Sequence, residues 1–557
     1  MRSAMNDALH GFGVSRGVAS GPVARMAPRP DLSERPDPDH TNDVRTTRAA
    51  NALEAVASAL EARSRNADAE AAAVLEAQAL MARDPALATA ISSAVESGSS
   101  AQNAIALAFS TFRSALEAAG PYMAERVADL DDVRDRALAE LLGLPMPGIP
   151  QPGHPFVLVA TDLSPADTAL LDPQQVLAII TEQGGPSSHT AILAKSLAIP
   201  AVVAVATADA LTDNEIVLVD GGAGSIERSP NPETVRAALD RYRLAAERSS
   251  LATGPGRTAD GTPVRLLLNI GAERDLEVAA AADAEGVGLF RTEFLFLDRP
   301  SAPSVEEQIG CYRKIFDAFA GRRVVVRTLD AGADKPLGFV QHGDEPNPAL
   351  GVRGLRTTRF APQLLSDQLA AIAAAAAQSS ADVWVMAPMV SVPSEAQEFA
   401  DSARAHGVRV VGSMIEVPAA ALRARHILAE CDFVSLGTND LAQYTFAADR
   451  MLGELGDLLD PWQPGLLELV RTTAEAGRSV GKPVGVCGEA ASDPDLALVL
   501  VGLGVSSLSM APSAIPAVRT SLLEHTIDEC RSMAEAVLRA PDGRSARTVL
   551  KERQEAK

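Results

Sequence analysis

Short apolar runs recur through the second half of the chain, and helical stretches separate most of them. Eight such runs are present, and each ends in or beside polar residues. They are V-R-L-L-L-N-I (264–270), V-G-L-F-R-T-E (287–293), V-V-V-R-T-L-D (324–330), V-W-V-M-A-P-M (383–389), V-V-G-S-M-I-E (410–416), F-V-S-L-G-T-N-D (433–440), P-V-G-V-C-G-E (483–489) and S-L-S-M-A-P (507–512). Because strands that alternate with helices form parallel sheets, eight strand–helix units predict a (β/α)8 barrel, the TIM barrel fold.

Polar residues lie at or directly after the ends of these runs. They are Asn269, Arg291, Glu293, Arg327, Asp330, Glu416, Asn439, Asp440, Cys487 and Glu489. Core packing does not explain so many charged side chains at these positions, since charged residues are seldom buried without a partner. Barrel enzymes carry their active sites at the carboxyl ends of the strands. We therefore expect these residues to form a catalytic site.

The chemistry of this site divides into three sets of side chains. The cationic set suits a small anion with phosphate and carboxylate groups, and it comprises Arg291, Arg327, Lys335 and Arg450. Glu416 and Asp440 offer hard oxygen ligands from adjacent strands, which suit Mg²⁺. Cys487 follows a strand, which would place its thiol over the site as a proton donor, although a single cysteine is more often a small core residue.

The first half of the chain has a different pattern. Between Thr41 and Leu144 apolar residues recur at helical spacing in a sequence rich in alanine, leucine and charge, which predicts a helical bundle. Short β-branched runs predict strands on either side of it, within 10–26 and at 156–160, 178–181, 201–205 and 216–220. These strands predict a compact α/β domain, and a charged helix at 231–250 would link it to the barrel.

One loop in this domain carries a candidate nucleophile. The turn Gly184-Gly185-Pro186 follows a β-branched run and precedes Ser187 and Ser188, which are good helix N-cap residues. His189 therefore lies in the first turn of a predicted helix, where unpaired N–H groups and the helix dipole stabilise an anion. This chemistry suits a phosphohistidine, but it equally suits a polar histidine at the start of a surface helix.

Composition and charge narrow the function classes. The chain has 50 basic and 72 acidic residues and a formal net charge of −22, which argues against nucleic acid and anionic membranes as partners. A small basic protein remains a possible partner. The four cysteines are widely spaced without a C-x-x-C motif, so neither disulfides nor zinc is expected. With no signal-type segment and no apolar run of membrane-spanning length, we expect a cytoplasmic protein.

The loop and the strand ends resemble motifs of a known family. G-G-P-S-S-H-T-A-I-L-A-K-S-L-A-I-P (184–200) is similar to the phosphohistidine signature of the phosphoenolpyruvate-utilising enzymes. Further similar motifs are G-V-G-L-F-R-T-E-F-L-F, V-R-T-L-D-A-G-A-D-K, N-P-A-L-G-V-R-G-L-R, M-I-E-V-P-A-A, S-L-G-T-N-D-L-A-Q-Y, V-C-G-E-A-A and S-M-A-P. They extend from about residue 10 to about residue 540, and in this order they resemble the enzyme I proteins of bacterial sugar phosphotransferase systems. Small departures are Pro186, Ser187, Lys195, Ala333 and Gly354. Lys195 keeps the positive charge of the usual arginine but loses its two-pronged contact with phosphate, whereas Ala333 and Gly354 remove no functional group.

The resemblance implies a role for each candidate residue. His189 would be phosphorylated, with Lys195 as a phosphate contact, and Cys487 would protonate enolpyruvate. Phosphoenolpyruvate would be bound by Arg291, Arg327, Lys335, Asn439, Asp440 and Arg450. Glu416 and Asp440 would bind the cofactor Mg²⁺.

The resemblance also implies an architecture and partners. It implies a swivelling phosphohistidine α/β domain (1–40 and 145–228), an inserted helical subdomain (41–144), a helical linker (229–254) and a barrel (255–557). The helical subdomain would bind the phosphocarrier protein HPr, with Glu70, Gln78, Met81, Asp84 and Arg126 as candidate contacts. The barrel would bind phosphoenolpyruvate and form a homodimer. Apolar residues near Trp462 (Leu466, Leu467, Leu469 and Val470) are candidates for that interface or for the barrel's own core.

The implied activity is phosphoenolpyruvate-protein phosphotransferase, which passes a phosphoryl group to His189 and then to HPr at the start of sugar uptake. Three alternatives stay open. A dikinase or synthase needs an ATP-grasp region, and the roughly 150 residues before His189 contain no plausible one. A phosphodonor for a dihydroxyacetone kinase usually carries additional carrier domains. A catalytically idle scaffold conflicts with the presence of His189, Cys487, Glu416 and Asp440.

Overall fold

The computed structural model describes residues 8–27, 30, 41–65, 69–118, 126–150, 152–163, 171–185, 188–297, 299–332, 337–340, 345–450, 452 and 455–555. The chain divides into two compact units. The first comprises Met1–Tyr242 with Arg450–Gly456, and the second comprises Arg243–Asp449 with Asp457–Lys557.

The first unit contains a sheet and a helical bundle. Its strands are β1 (Ala8–His10), β2 (Phe12–Ser15), β3 (Val18–Arg25), β4 (Phe156–Ala160), β5 (Val176–Thr181), β6 (Ala201–Val203), β7 (Ile216–Asp220) and β8 (Ser225–Arg228). The bundle helices are α1 (Asn42–Ser64), α2 (Ala69–Ala82), α3 (Pro85–Glu96), α4 (Ala101–Ala118) and α5 (Val127–Leu142), and later helices are α6 (His189–Ser196) and α7 (Pro232–Leu251). The strand order in the sheet is β1-β8-β7-β3-β4-β5-β6-β2.

The bundle is an insertion into this sheet. The chain leaves the sheet after β3 and returns at β4, which pairs parallel with β3 and places Val23 opposite Val157. The bundle has its own apolar core, in which Leu53, Ile105 and Val133 pack together. Because each part buries separate apolar residues, the inserted bundle does not interrupt the pairing of the sheet.

The second unit is a closed parallel barrel. Its strands are β9 (Arg265–Ile270), β10 (Gly286–Arg291), β11 (Arg323–Arg327), β12 (Asp382–Val390), β13 (Val410–Ile415), β14 (Phe433–Leu436), β15 (Val484–Val486) and β16 (Ser507–Met510). They pair in sequence order, and β16 closes the barrel against β9. Its helices are α8 (Leu276–Ala281), α9 (Val305–Ala318), α10 (Pro362–Ala376), α11 (Pro393–Ala405), α12 (Pro418–Leu422), α13 (Ala424–Glu430), α14 (Thr438–Phe446), α15 (Pro464–Val480), α16 (Pro494–Leu503), α17 (Ile515–Leu523), α18 (Ile527–Leu538) and α19 (Gly543–Glu555).

The predicted fold class is confirmed, since each of the eight apolar runs overlaps one barrel strand and the α/β domain carries an inserted helical bundle. One group of apolar residues lies in the interior. Trp462, Leu466, Leu467 and Val470 are at most 2% exposed, within the barrel's own core. These four side chains are therefore not available to a second copy of the chain. Within the described ranges, no helix combines the length and apolar character that crossing a bilayer requires.

Close contact between α16 and α18 gives a stability prediction. A Cβ added at Gly502 would lie 2.1 Å from the carbonyl oxygen of Cys530, whereas a Cβ at Gly310 in α9 would meet nothing within 4 Å. Gly502→Ala should therefore lower the free energy of unfolding by about 1–3 kcal/mol, through overpacking. Gly310→Ala should raise it by about 0.5–1 kcal/mol, because alanine loses less entropy in a helix. Melting temperatures of both variants measure this, and a stabilised Gly502→Ala protein would contradict the packing described.

Candidate active site

The loop after β5 places His189 at the start of a helix. Gly184 has a φ of +95°, a left-handed conformation that glycine adopts without strain. Ser188 is the N-cap of α6, and its hydroxyl accepts a hydrogen bond of 3.2 Å from the Ala191 amide. His189 is the first residue of this helix, so its backbone lies at the anion-stabilising end. The first turn is held to the loop after β4, because the Thr190 hydroxyl donates to Asp162 at 3.1 Å.

In the barrel, two arginines occupy opposing positions at neighbouring strand ends. Arg291 ends β10 and Arg327 ends β11, and the two residues are direct partners in the strand register. Arg291 is exposed, whereas Arg327 is 6% exposed. The Arg327 guanidinium donates to Glu293 at 2.7 Å and lies 3.2 Å from Asp330. Its buried Nε has no hydrogen-bond partner among the described residues, so a donor remains for a ligand.

Glu416 is an almost fully buried carboxylate of the barrel unit. It follows β13, is 1% exposed, and accepts a hydrogen bond of 2.8 Å from the Met389 amide. Met389 has a φ of +57°, an uncommon conformation for a residue other than glycine, and this turns its N–H toward Glu416. Burial, followed by the negative charges of Asp440 and Asp330, raises the pKa of Glu416 well above its usual range. A positive charge beside Glu416 would therefore be strongly stabilised.

A buried arginine joins two of the site's acids. Arg353 is 1% exposed; it donates to Asp330 at 3.1 and 3.2 Å and to Asp440 at 2.8 Å. Burial alone would lower the pKa of Arg353, but the charges of Asp330 and Asp440 raise it above its usual value. The sequence assigned no role to Arg353, because it lies in the loop between β11 and α10 and not at a strand end. Its place in the N-P-A-L-G-V-R motif was the available signal.

Cys487 lies one residue past β15 in the barrel interior. Its thiol is 2% exposed and donates to the carbonyl of Leu436 at 3.5 Å. Burial raises the pKa of the Cys487 thiol to about 11, with the charge of Glu416 adding to the increase. The thiol therefore keeps its proton at neutral pH. The adjacent strand ends are tied together by Asn269, whose amide donates to the Cys487 carbonyl at 3.1 Å.

Of the other predicted site residues, Asn439 belongs to the barrel unit and Arg450 to the first unit. Asn439 is an exposed residue in the first turn of α14, and its side-chain oxygen accepts from the Glu489 amide at 3.4 Å. Arg450 is half-buried in the turn after α14. Lys335 lies outside the described residues. In the first unit, Lys195 is an exposed residue of the last turn of α6.

The buried carboxylates of the site outnumber its buried guanidinium groups, which favours binding of a divalent cation. Four carboxylates are at most 9% exposed, and they belong to Glu293, Asp330, Glu416 and Asp440. The buried guanidinium groups of Arg327 and Arg353 supply only two positive charges to offset them. Among the described residues no three side chains of His, Cys, Asp or Glu are grouped to hold a metal by themselves. Glu416 and Asp440 fit a Mg²⁺ ion that takes its remaining ligands from substrate and water.

Family models match the chain in three segments. Residues 10–126 match the N-terminal domain of the PEP-utilising enzymes, residues 152–224 match their mobile domain, and residues 245–527 match their PEP-binding domain. The residues that converge at the barrel strand ends all lie within the third segment.

Curated relatives extend the match to the whole chain. A phosphoenolpyruvate-protein phosphotransferase of Streptomyces coelicolor is 52% identical over 98% of both chains. A protein of the same name from Haloferax volcanii is 40% identical over 85% of both chains. A multiphosphoryl transfer protein of Xanthomonas campestris is 37% identical over 98% of this chain and 67% of its own length. The chain therefore belongs to the family of phosphoenolpyruvate-utilising enzymes and, within it, to the phosphoenolpyruvate-protein phosphotransferases, the enzyme I proteins.

Proposed function

We propose that this chain transfers the phosphoryl group of phosphoenolpyruvate to His189 and then to a histidine of the phosphocarrier HPr, releasing pyruvate. The observation that carries the proposal is the buried network of Arg327, Arg353 and four carboxylates at the barrel strand ends, with the Cys487 thiol beside it. This network combines cations for a phosphate, hard oxygen ligands for a metal and a protonated thiol. These are the groups that the reaction of phosphoenolpyruvate requires.

Substrate binding is assigned to the cationic residues. Arg291 and Arg327 stand on adjacent strand ends, so their guanidinium groups can take separate oxygens of one phosphate. The unpartnered Nε of Arg327 is one such donor. Lys335, Asn439 and Arg450 complete the proposed set on the basis of the family resemblance. Because arginine stays charged at all physiological pH values, substrate affinity does not depend on its titration.

Glu416 and Asp440 would hold the Mg²⁺ ion. When bound, the ion supplies positive charge that offsets the negative charge of the substrate and of the enolate product. The raised pKa of Glu416 supports this assignment, because the carboxylate lies in surroundings that already carry excess negative charge. Arg353 positions Asp440 and Asp330 without contacting substrate, since both ends of its guanidinium are occupied by these acids.

The phosphoryl transfer conserves charge and atoms. The neutral imidazole of His189 attacks phosphorus with a ring-nitrogen lone pair, a P–N bond forms, and the P–O bond to the enol oxygen breaks. The electron pair of that bond stays on oxygen and yields the enolate of pyruvate. Arg291 and Arg327 stabilise the charge on the transferred group. The reaction requires His189 to reach the barrel site during the catalytic cycle.

Protonation of the enolate to pyruvate draws the phosphoryl transfer forward. The terminal methylene carbon of the enolate takes a proton from the Cys487 thiol and becomes the methyl group of pyruvate. The thiolate later regains a proton from solvent. A pKa of about 11 keeps this thiol protonated at neutral pH and ready to donate. Burial within the barrel favours donation to the enolate over exchange with bulk water, because the thiol is 2% exposed.

Transfer to HPr is assigned to the first unit, with the helical bundle as the docking domain. Gln78 is removed from the candidate contacts, because it is 1% exposed and donates to Asp129 and Asp132 inside the bundle. Asp84 caps α3 through the Ala86 amide, and Arg126 pairs with Asp129, so both can also be structural residues. The acidic chain suits a basic partner, and its association should weaken as salt rises.

We also propose a homodimer formed through the barrel, which rests on the family resemblance. Sedimentation of the full chain with phosphoenolpyruvate and Mg²⁺ tests it. A protein that stays monomeric at full turnover would contradict the proposed assembly.

Phosphorylation of His189 is tested by labelling. Incubation with phosphoenolpyruvate labelled in its phosphate, with Mg²⁺, should label the native chain with an acid-labile, alkali-stable group. His189→Ala should abolish this label, because the nucleophile is lost. His154→Ala removes an exposed histidine of the same domain and should keep full labelling. Equal labelling of the His189→Ala variant and the native protein would refute the assignment.

The positioning role of Arg353 is tested by Arg353→Lys, which keeps the charge but loses the two-pronged contact. We expect kcat/KM to fall by roughly tenfold or more and the Mg²⁺ concentration for half-maximal activity to rise, because Asp440 loses its orientation. Arg359→Lys is the matched control, since Arg359 is 68% exposed and contacts Glu395 at 3.4 Å. If Arg353→Lys and Arg359→Lys share the native Mg²⁺ dependence, Arg353 has no positioning role.

A further inference from the structure

The barrel has a cavity at the amino ends of its strands. Its volume is about 440 Å³, and it is lined by residues of seven strands, among them Arg265, Arg323, Trp384 and Phe433. Arg265 and Arg323 are the first residues of β9 and β11, so the cavity opens at the end opposite the strand-end carboxylates. A volume of this size suits a small-molecule ligand. The proposed phosphotransfer makes no use of it.

Small side chains explain why this end of the barrel is open. Bulky branched residues usually fill a barrel interior, but this cavity is lined on β10, β15 and β16 by Gly288, Gly485, Ser507 and Ser509. Neither glycine can be enlarged without displacing a neighbour. A Cβ at Gly288 would lie 2.6 Å from the Ser509 hydroxyl, and a Cβ at Gly485 would lie 2.5 Å from that of Ser507.

The cavity presents two guanidinium groups. Arg323 lies over Trp384, with its guanidinium carbon 3.4 Å from the ring centroid, and it pairs with Asp382 at 3.5 Å. Burial, followed by the charge of Arg265, lowers the pKa of Arg323. The other acid at the cavity, Glu285, already accepts hydrogen bonds from the Gly256 and Leu266 amides at 3.1 and 3.0 Å. A carboxylate placed between the two arginines would accept charge-assisted hydrogen bonds from both guanidinium groups.

The remaining wall is apolar and aromatic. Trp384 and Phe433 are in ring contact with centroids 4.7 Å apart, and Leu267 and Val325 line the cavity beside them. A flat hydrocarbon group packs well against such a surface. The same apolar cluster that contains Val325 and Phe433 also contains Cys487, so one layer of side chains separates the cavity from the proposed proton donor.

We propose that this cavity is a binding site for a small aromatic carboxylate, whose carboxylate pairs with Arg265 and Arg323 and whose ring packs against Phe433 and Trp384. The assignment rests on the cavity, its paired cations and its aromatic wall, and it is independent of the proposed phosphotransfer. The site takes a different class of ligand from the strand-end site, because Glu285 is the single acidic residue among its described lining residues.

Benzoate is the probe for this site, and the fluorescence of Trp384 can report its binding to the full chain. Trp384 is one of two tryptophans in the sequence, and the other, Trp462, is 2% exposed and does not line the cavity. Benzoate should bind saturably with one site per chain in calorimetry and should change the tryptophan fluorescence. Acetate, which lacks the ring, and benzyl alcohol, which lacks the charge, should each bind roughly tenfold or more weakly. In Trp384→Phe the fluorescence response should disappear.

Two arginine variants locate the ligand. Arg265→Gln should weaken benzoate binding roughly tenfold, since it removes one charged partner of the carboxylate. Arg471→Gln removes an exposed arginine of α15 paired with Glu468 and should bind benzoate as the native chain does. The proposal is overturned if benzoate gives no saturable binding or if Arg265→Gln and Arg471→Gln bind alike. It is also overturned if Arg291→Gln abolishes binding while Arg265→Gln does not, which would place benzoate at the strand-end site.

Discussion

The active end of the barrel depends on the ion pairs that Arg353 forms with Asp330 and Asp440. All three side chains are at most 6% exposed, and the arginine spans the 23 and 87 residues of chain that separate it from the two acids. Removing one member of a buried charge pair typically costs about 3–5 kcal/mol, because the other charge is left unpaired. The same guanidinium therefore holds together two acids that follow different barrel strands.

Two residues of the site, Gly354 and Met389, have left-handed backbone conformations that position its charged groups. Gly354, the residue after Arg353, has a φ of +58°, and a Cβ there would lie 3.0 Å from Met389. Met389 itself adopts the left-handed conformation that turns its amide toward Glu416. Such strained residues persist only where their surroundings hold them, and they concentrate at functional sites. Glycine at position 354 thus accommodates the turn that follows Arg353.

Sequence periodicity predicted the barrel because each strand is an apolar run that ends at a polar residue. It could not predict contacts that loops make across the barrel, and so the role of Arg353 and the left-handed Met389 emerged only from the structure. It also left open whether Gln78 and Trp462 face solvent or the interior, since helical spacing does not say which neighbour covers a face. Both proved to be buried. The cavity at the amino ends of the strands could not be predicted from the sequence either, because it is formed by small residues of separate strands.

The proposed chemistry requires the strand-end network to bind phosphoenolpyruvate through its arginines and carboxylates. A crystal structure of the His189→Ala variant with phosphoenolpyruvate and Mg²⁺ measures this directly, because that variant binds substrate without consuming it. We expect the phosphate against Arg291 and Arg327 and the metal between Glu416 and Asp440, with Arg353 still paired to Asp330. Phosphoenolpyruvate bound without contact to either arginine, or a metal bound away from both carboxylates, would contradict the account.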